Sequence, residues 1–394
     1  MSVEHARAAV IAAARRTEPE AVSLSDAVGR TLAEPVVADG PLPPFDVSAM
    51  DGFAVRLADL AARDTLPLAG AVHAGDGAVP ALPPGACLAV MTGAPIPSGA
   101  EAVVPIEWTA RTDGGVRFER GPSLGLSIRR AGEALAAGAQ VLAAGAVVTP
   151  RAVGLLASVG ASSLSARRRP VVAVVSTGDE LVPAEQTPGP SQIRDSNGPA
   201  LAAQVVAAGG TALRLHARDD AASLAHMLDL AQTADLVVVA GGVSMGDRDL
   251  VRPELERRGV RWSFWQVRQR PGKPLAFGTL DGRPVLGLPG NPVSAVVGFE
   301  VYARPLLAAC LGRQPAAGPE AGTLTEAVGK KRGLTTFVRV VAGRAPDGTL
   351  RLSPAGDQGS HVARSLLLSD GLAWLPADWP EAPAGSRVPF HPWA

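Results

Sequence analysis

Between Val171 and Gly312 the sequence alternates short apolar runs, typical of strands, with longer segments that have helical periodicity. The strand-like runs are VVAVV (171–175), TALRLH (211–216), DLVVVA (235–240), RWSFWQV (261–267), LAFGTL (275–280) and RPVLGL (283–288). The helical segments lie at 196–210, 221–232, 250–259 and 291–312. Strands separated by helices predict a mainly parallel, three-layer α/β domain.

The rest of the chain has a different character. An N-terminal segment, VEHARAAVIAAARR, has helical spacing, whereas residues 37–135 are rich in glycine and proline with short apolar runs. TTFVRVV and GTLRLS, after residue 316, are strand-like. The predicted fold class is therefore α/β plus β in a multidomain chain. We expect a linker or dimerisation subdomain (15–36 and 136–165), a glycine-rich β-domain (37–135), an α/β domain (1–14 and 166–316) and a C-terminal β-domain (317–394).

Charge and cysteine content limit the partners. The chain has 37 basic and 37 acidic residues, so it offers no general attraction to nucleic acid or to an anionic membrane. Cys87 and Cys310 are the only cysteines and lack a metal-ligand spacing, which favours a reducing compartment. With neither a targeting segment nor a transmembrane segment recognised in the sequence, we expect a cytoplasmic protein.

Three loops that follow predicted strands combine glycine, small hydroxyls and the start of a helix. Because ligands bind at the carboxyl ends of strands in open α/β sheets, these loops predict a site for a phosphate-bearing ligand. Lys273 and Arg270 would add positive charge at the same edge. The candidate binding residues in the loops are Ser176, Thr177, Gly178, Gly241, Gly242, Ser244, Pro289, Gly290, Asn291 and Pro292.

Carboxylates near the same strand ends indicate magnesium, which takes one or two carboxylates together with substrate oxygens and water. Glu180 and Asp249 are the preferred candidates for metal ligands. For Asp219 and Asp220, which precede a helix, capping is an equally good interpretation. Local hydrogen bonding competes for Asp179 as well.

Several enzyme classes lack their motifs here. The sequence has no GxxxxGK[ST] loop, no GxGxxG after a strand and no HExxH. Residues 242–246 match the GxSxG nucleophile elbow, and Asp281 and His361 would complete the order Ser–Asp–His. Asp247 and Asp249, however, would crowd an oxyanion at Ser244 with negative charge, which disfavours a serine hydrolase.

Six segments in order resemble one family, the MoeA molybdopterin molybdenumtransferases, which include the E domain of gephyrin. They are PPFDVSAMDGFAVR (43–56), MTGAPIPSGAEAVVPIE (91–107), STGDEL (176–181), GGVSMGDRD (241–249), RPGKPLAFG (270–278) and GLPGNPVSA (287–295). The resemblance covers most of residues 43–312. An ordered set of motifs is far more specific than any single motif.

The resemblance implies an elongated homodimer in which the α/β domain of one chain and the β-domain of its partner form the cleft. It implies Mg²⁺-dependent insertion of molybdate into adenylated molybdopterin with release of AMP. It also suggests a molybdopterin adenylyltransferase and acceptor molybdoenzymes as protein partners.

By motif position, the resemblance assigns catalytic roles to four residues and binding roles to several others. The catalytic residues are Asp51, Glu180, Asp249 and Lys273, and the binding residues include Thr92, Asp219, Arg270, Pro289, Pro292 and Ser360.

Three positions depart from the family pattern. Ala134 stands where a carboxylate is usual, Leu334 where arginine is common, and Arg270 where lysine is common. These departures leave open a second interpretation, a divergent paralogue that binds cofactor intermediates or acts as a scaffold. Adenylyl transfer ranks third, since it belongs to a different domain arrangement that lacks the β-domains.

Overall fold

A computed structural model describes residues 1–242, 250–313 and 319–393. Its centre is a six-stranded sheet formed by β1 (Val171–Thr177), β2 (Thr211–Ala217), β3 (Leu236–Ala240), β4 (Arg261–Gln266), β5 (Pro274–Leu280) and β6 (Arg283–Leu288). The strand order is β2-β1-β3-β6-β5-β4, in which β1, β2, β3 and β6 pair in parallel and β5 runs antiparallel to its two neighbours, β6 and β4. The predicted α/β sheet is confirmed.

Helices cover both faces of this sheet, because successive strand residues point to opposite sides. Val172 and Val174 pack against one helical layer, whereas Ala173 and Val175 pack against the other. The first layer contains α1 (Val3–Ala12), α2 (Asn197–Ala207) and α5 (Pro292–Cys310), and the second contains α3 (Ala221–Leu230) and α4 (Val251–Arg257). The three-layer prediction is therefore confirmed.

Helix α1 ends earlier than its apolar pattern predicts. The spacing predicts helix to Arg16, but α1 stops at Ala12. Beyond it the chain runs along other elements: Thr17 N donates to Cys310 O at 3.0 Å and an Arg15 guanidinium nitrogen to Asp281 O at 3.2 Å. Tertiary hydrogen bonds thus replace the last predicted turn.

Helix α5 is long and apolar enough to cross a membrane, but 67% of its apolar window is buried inside the protein. Its middle turn, Phe299–Ala303, is a π-helix. Pro292 lies in the first turn, where its missing N–H costs no hydrogen bond.

The β-domain contains a four-stranded sheet and smaller ribbons around its own apolar core. Gly52 is required here: a Cβ would lie 2.1 Å from Val104 O, so the strand that follows Asp51 can pair closely only with glycine. The strands are Val47–Ser48, Gly52–Val55, Thr65–Leu66, Leu68–Val72, Cys87–Val90, Ala102–Pro105, Thr109–Thr112, Gly115–Phe118 and Ile128–Arg129, with one helix, Leu57–Ala62.

Two antiparallel ribbons and a helix form the segment on either side of the β-domain. The ribbons pair Pro19–Ser23 with Ser163–Arg167 and Val36–Val37 with Gln140–Leu142. Helix Pro150–Ser158 packs over a small core around Leu32 and Leu156.

The C-terminal region is a closed barrel. The long strand Thr335–Arg344 pairs on one side with Leu350–Pro354 and on the other with Gly371–Leu375, which closes the sheet. A two-residue strand from the α/β domain, Gln269–Arg270, adds parallel to Thr335–Thr336. The remaining elements are Glu320–Leu324, Val328–Gly329, Glu381–Ala382, Arg387–Pro392 and the short helix Arg364–Leu367.

Candidate functional site

A cleft of about 640 Å³ lies where the parallel strands of the central sheet end, as expected for a ligand site in an open α/β sheet. Residues from all three predicted loops line it. The predicted site residues on its surface are Thr177, Gly178, Glu180, Asp219, Gly241, Gly242, Pro289, Gly290, Asn291 and Pro292.

Two predicted site residues, Ser244 and Asp249, lie outside the described residues. Asp281, the aspartate of the serine-hydrolase alternative, sits in the turn after β5, which runs antiparallel to β6 and so ends at the edge of the sheet opposite the cleft.

The acidic side of the cleft is held by two aspartates that exchange hydrogen bonds. Asp179 N donates to Asp219 Oδ2 at 3.3 Å, and Asp219 N donates to Asp179 Oδ1 at 3.2 Å. Asp220 instead caps α3, accepting from Ser223 N at 2.7 Å. The local roles considered for Asp179 and Asp220 are thus observed, and Asp219 faces the cleft beside Glu180.

Glu180 folds back over the end of β1. A Cβ at Gly178 would lie 2.3 Å from Glu180 Oε2, so that side chain would have to move, and the φ of +143° at Gly178 favours glycine. The glycine of the first loop therefore makes room for the carboxylate.

Ser176 lies behind the cleft surface. It is buried, and its hydroxyl donates to Asp195 Oδ2 at 3.0 Å. Asp195 Oδ1 accepts from Gly198 N at 2.9 Å and so supplies the cap bond of α2, which Ser196, at the N-cap position, does not make with its side chain. Asp195 was missed by the sequence analysis, although its spacing of three residues from Gly198 is a capping spacing.

Two further cleft residues add polar groups that the motifs did not indicate. Asn197 Nδ2 donates to Gly290 O at 2.8 Å and ties the start of α2 to the loop before α5. Arg218, exposed at the end of β2, contributes a guanidinium to the lining. Its position directly before Asp219 at a strand end is the signal that could have identified it.

The loop Arg270–Pro274, here called the basic loop, reaches the cleft at Pro274, and the predicted residues Arg270 and Lys273 do not themselves line it. Pro274 lines the cleft, and Lys273 directly before it is exposed. Among the residues that the structure describes, none accepts a hydrogen bond from the Lys273 ammonium or pairs with it. Arg270 is also exposed, at the strand that joins the barrel.

The barrel reaches the cleft through residues 357–361, here called the barrel loop. Ser360 Oγ accepts from Asn291 Nδ2 at 3.2 Å, and Ser360 O accepts from Val293 N at 3.2 Å. The predicted binding residue Ser360 is thus brought to the first turn of α5. Asn291 occupies the N-cap position but uses its side chain for this contact.

A buried arginine that the sequence analysis missed supports the barrel loop. Arg339 donates to Asp357 O and Gly359 O at 3.2 Å each and to Ser365 Oγ at 3.1 Å. Burial lowers the pKa of Arg339 to about 10. The sequence indicated only that Arg339 lies in a strand-like run. Strand periodicity does not indicate a buried cation.

Asp51 and Thr92 form a pair on the β-domain surface, and neither lines the cleft of its own chain. Asp51 Oδ1 accepts from Thr92 N at 2.7 Å and from Thr92 Oγ1 at 2.8 Å. These two hydrogen bonds lower the pKa of Asp51, and the bond from the Thr92 backbone has the larger effect. Exposed apolar side chains surround the pair: Met50 is 42%, Met91 38% and Ile106 53% exposed.

The donor set of the cleft suits magnesium held partly by a ligand. Within residues 1–242, 250–313 and 319–393, no three His, Cys, Asp or Glu side chains form a cluster fit for a metal. Glu180 and Asp219 are carboxylates on one wall of the cleft. Mg²⁺ needs only one or two carboxylates when phosphate and water complete its shell, so these residues fit the ion.

Three family models together match nearly the whole chain. They are described as MoeA N-terminal region (domain I and II), matching residues 1–160, probable molybdopterin binding domain, matching 173–309, and MoeA C-terminal region (domain IV), matching 321–393.

Similar full-length proteins give the same picture. Molybdopterin molybdenumtransferase 2 of Mycobacterium tuberculosis is 37% identical over 98% of both chains. Molybdopterin molybdenumtransferase of Haemophilus influenzae is 35% identical over 95% of this chain and 94% of its own. The crystal structure of a molybdopterin biosynthesis MoeA protein from Pyrococcus horikoshii matches 99% of this chain and 98% of its own, with a TM-score of 0.84 and 30% identity.

Proposed function

The chain belongs to the MoeA family, and from this premise we propose that it is a molybdopterin molybdenumtransferase. In the proposed reaction molybdate is inserted into adenylated molybdopterin and AMP is released in a Mg²⁺-dependent step. The observation that carries the proposal is the cleft at the carboxyl ends of the strands, which has carboxylates on one wall and the basic loop beside it. Relatives that share 35–37% identity over nearly full length bear this name.

The substrate's anionic groups are assigned to the glycine loops, the start of α5 and the basic loop. Gly241, Gly242 and Gly290 let backbone approach a phosphate closely, and the α5 N-terminus favours negative charge. Lys273 carries a mobile cation with no competing partner in the described part of the chain, so it is free to bind an oxyanion. Ser360 would add a hydroxyl from the barrel side.

Glu180 and Asp249 are assigned to organise Mg²⁺ or an attacking water. Bound Mg²⁺ would neutralise phosphate charge as AMP departs. Glu180 is suited to this role because its carboxylate lies next to Gly178 at the cleft edge. Asp219, joined to Asp179, would hold the same acidic wall in place.

Asp51 and Thr92 are assigned to the cleft of a partner subunit in a homodimer. In their own chain they do not line the cleft, and the exposed methionines and isoleucine around them favour burial against another surface. Because symmetric dimers use the same surface twice, each dimer would contain two composite clefts. The segment formed by 15–36 and 136–165 is the proposed dimerisation subdomain.

We place the reaction in the cytoplasm, between a molybdopterin adenylyltransferase that supplies the substrate and molybdoenzymes that accept the product. Both cysteines are free and buried, which suits a reducing compartment. Neither nucleic acid nor membrane is a proposed partner, since the charges balance and the one long apolar helix found among the described residues is mostly buried.

The direct test incubates the purified protein with adenylated molybdopterin, Mg²⁺ and molybdate. The proposal expects AMP release and activation of a cofactor-free molybdoenzyme, with both strongly reduced but still measurable in Lys273→Ala. Ligand binding without AMP release would instead support the divergent binding or scaffold protein. That alternative rests on Ala134, whose backbone N–H donates to Leu42 O but which has no carboxylate to offer a cleft.

A further inference from the structure

We propose that Gln269 and Tyr302 form a buried positioning pair that fixes the basic loop, and with it Lys273, against the cleft. The inference rests on the proposed function, because Lys273 is the group that the pair would position. Neither residue lines the cleft, so both would act through the loop.

Both the nitrogen and the oxygen of the Gln269 side-chain amide form hydrogen bonds that hold the basic loop. It is 1% exposed, and its Nε2 donates to Pro271 O and to Gly272 O at 3.1 Å each. Its Oε1 accepts from the Tyr302 hydroxyl. Since a buried amide left unpaired is costly, these bonds together select one orientation of the amide and one path of the loop.

Tyr302 is placed for this contact by the π-helical turn of α5. It is fully buried within Phe299–Ala303, and burial raises the pKa of its hydroxyl, which therefore remains a hydrogen-bond donor. A π turn inserts an extra residue and re-aims the side chains of the helix, and such turns are frequent at functional sites. No cleft residue lies in this turn, and the turn connects to the basic loop through the hydrogen bond from Tyr302 to Gln269.

The basic loop also packs on the first turn of the same helix. A Cβ at Gly272 would lie 3.1 Å from Gln269 Nε2 and 3.6 Å from the Ser294 side chain and carbonyl, and Gly272 has a φ of +81°. The loop is therefore held between Gln269 and α5. Helix α5 thus begins at the cleft, at Pro292, and through Tyr302 it also sets the position of Lys273 relative to the cleft.

The test combines Tyr302→Phe with Lys273→Ala and follows AMP release from adenylated molybdopterin. If the pair acts through Lys273, removal of the hydroxyl should slow release about tenfold in the wild-type background and less than about twofold when Lys273 is already absent. Gln269→Met should give the same pattern. Equal slowing in both backgrounds, or no slowing at all, would overturn the proposal.

A matched control separates positioning from stability. Phe299→Leu alters the same π turn without touching the hydrogen bonds, so it should lower the melting temperature while leaving the rate of AMP release within about twofold of wild type. A Phe299→Leu rate as low as that of Tyr302→Phe would show that any damage to the turn suffices, which contradicts a specific role for the pair.

Crystal structures of the ligand-free Tyr302→Phe and Gln269→Met proteins provide a readout that does not depend on turnover. We expect displacement of the Pro271 and Gly272 carbonyls and of Lys273, with the α5 backbone unchanged. An unmoved loop would refute the positioning role even if the rates fall. If the wild-type protein releases no AMP but the loop moves in the variants, the proposed function fails and the structural role of the pair stands.

Discussion

The two regions proposed to meet at the active site are built in opposite ways. The cleft of the α/β domain is supported from behind by buried polar side chains: Gln269, Tyr302, Ser176 and, through the barrel loop, Arg339. In the β-domain, the Asp51–Thr92 pair lies exposed on the surface and is held by two bonds within the pair.

This difference predicts which substitutions will change stability and which will change only activity. A residue that supports the cleft contributes to both stability and geometry, because it fills interior volume and satisfies buried groups. A residue of the surface pair affects only the ligand that it meets, since removing it leaves no cavity and no buried unpaired group. The predictions below test this division.

The largest effect is expected for Arg339→Met, on the supported side. The change leaves Asp357 O, Gly359 O and Ser365 Oγ without a donor, so the free energy of unfolding should fall by about 3–5 kcal/mol. Denaturant titration measures it, and Arg351→Met, at an exposed arginine on another strand of the barrel, is the matched control. A loss no larger than in the control would mean that the barrel loop is held by other contacts.

Lys273→Ala should separate chemistry from stability at the cleft itself. The ammonium is exposed, so we expect unchanged unfolding but AMP release about 100-fold slower, in line with the loss of a charge that stabilises an oxyanion. Lys331→Ala, at an exposed lysine of the barrel region, should retain the wild-type rate. Similar rates in the two variants would remove Lys273 from the site.

Sequence patterns predicted the sheet, the cleft edge and the loops that line it, because strand ends, glycines and helix caps act locally. They did not predict the Gln269–Tyr302 contact, which joins residues 33 positions apart. The apolar spacing of 291–312 predicts a regular helix, and a π turn leaves no mark in that spacing. Buried polar partners are chosen by tertiary geometry, which periodicity does not contain.

The surroundings of Asp51 and Thr92 also exceeded what spacing could establish. Asp51 and Thr92 were assigned from family motifs, whereas their hydrogen bond and exposed apolar surroundings emerged only from the structure. Asp195 is an intermediate case, since its capping distance from Gly198 is visible in sequence but Ser196 and Asn197 compete for the same role.

An acid-sensitive junction is expected between the barrel and α1. His391 stacks on Trp374. Its pKa is lowered from 6.5 to about 4, mainly by burial and to a smaller extent by the positive charge of Arg7. The unfolded chain, with the higher pKa, binds this proton more tightly than the folded protein does. The free energy of unfolding should therefore be highest above pH 6.5 and fall by about 2 kcal/mol as the pH drops toward 4.

Unfolding measured across this pH range in wild type and His391→Phe tests the junction. Phenylalanine keeps a ring for stacking but cannot be protonated, so the dependence on pH should weaken. His216→Phe, at an exposed histidine on β2, should leave it unchanged. An identical pH dependence in wild type and His391→Phe would exclude His391 as its source.

The smallest effect is expected for Thr92→Val, on the surface side. It removes the hydroxyl bond to Asp51 but keeps the backbone one, so the pKa of Asp51 should rise partway toward its ordinary value and AMP release should slow about twofold to fivefold. Carboxylate NMR titration follows the pKa, and Thr112→Val provides the control. A large loss of stability would break the contrast between the two regions.

The most direct test of the proposed composite cleft mixes two strongly impaired variants. Asp51→Ala and Lys273→Ala subunits, unfolded and refolded together, should form mixed dimers in which one of the two clefts retains both residues. If the cleft combines two chains, the mixture should recover about a quarter of the wild-type rate of AMP release. If no activity returns although mixed dimers are shown to form, each chain uses its own Asp51 and the account is contradicted.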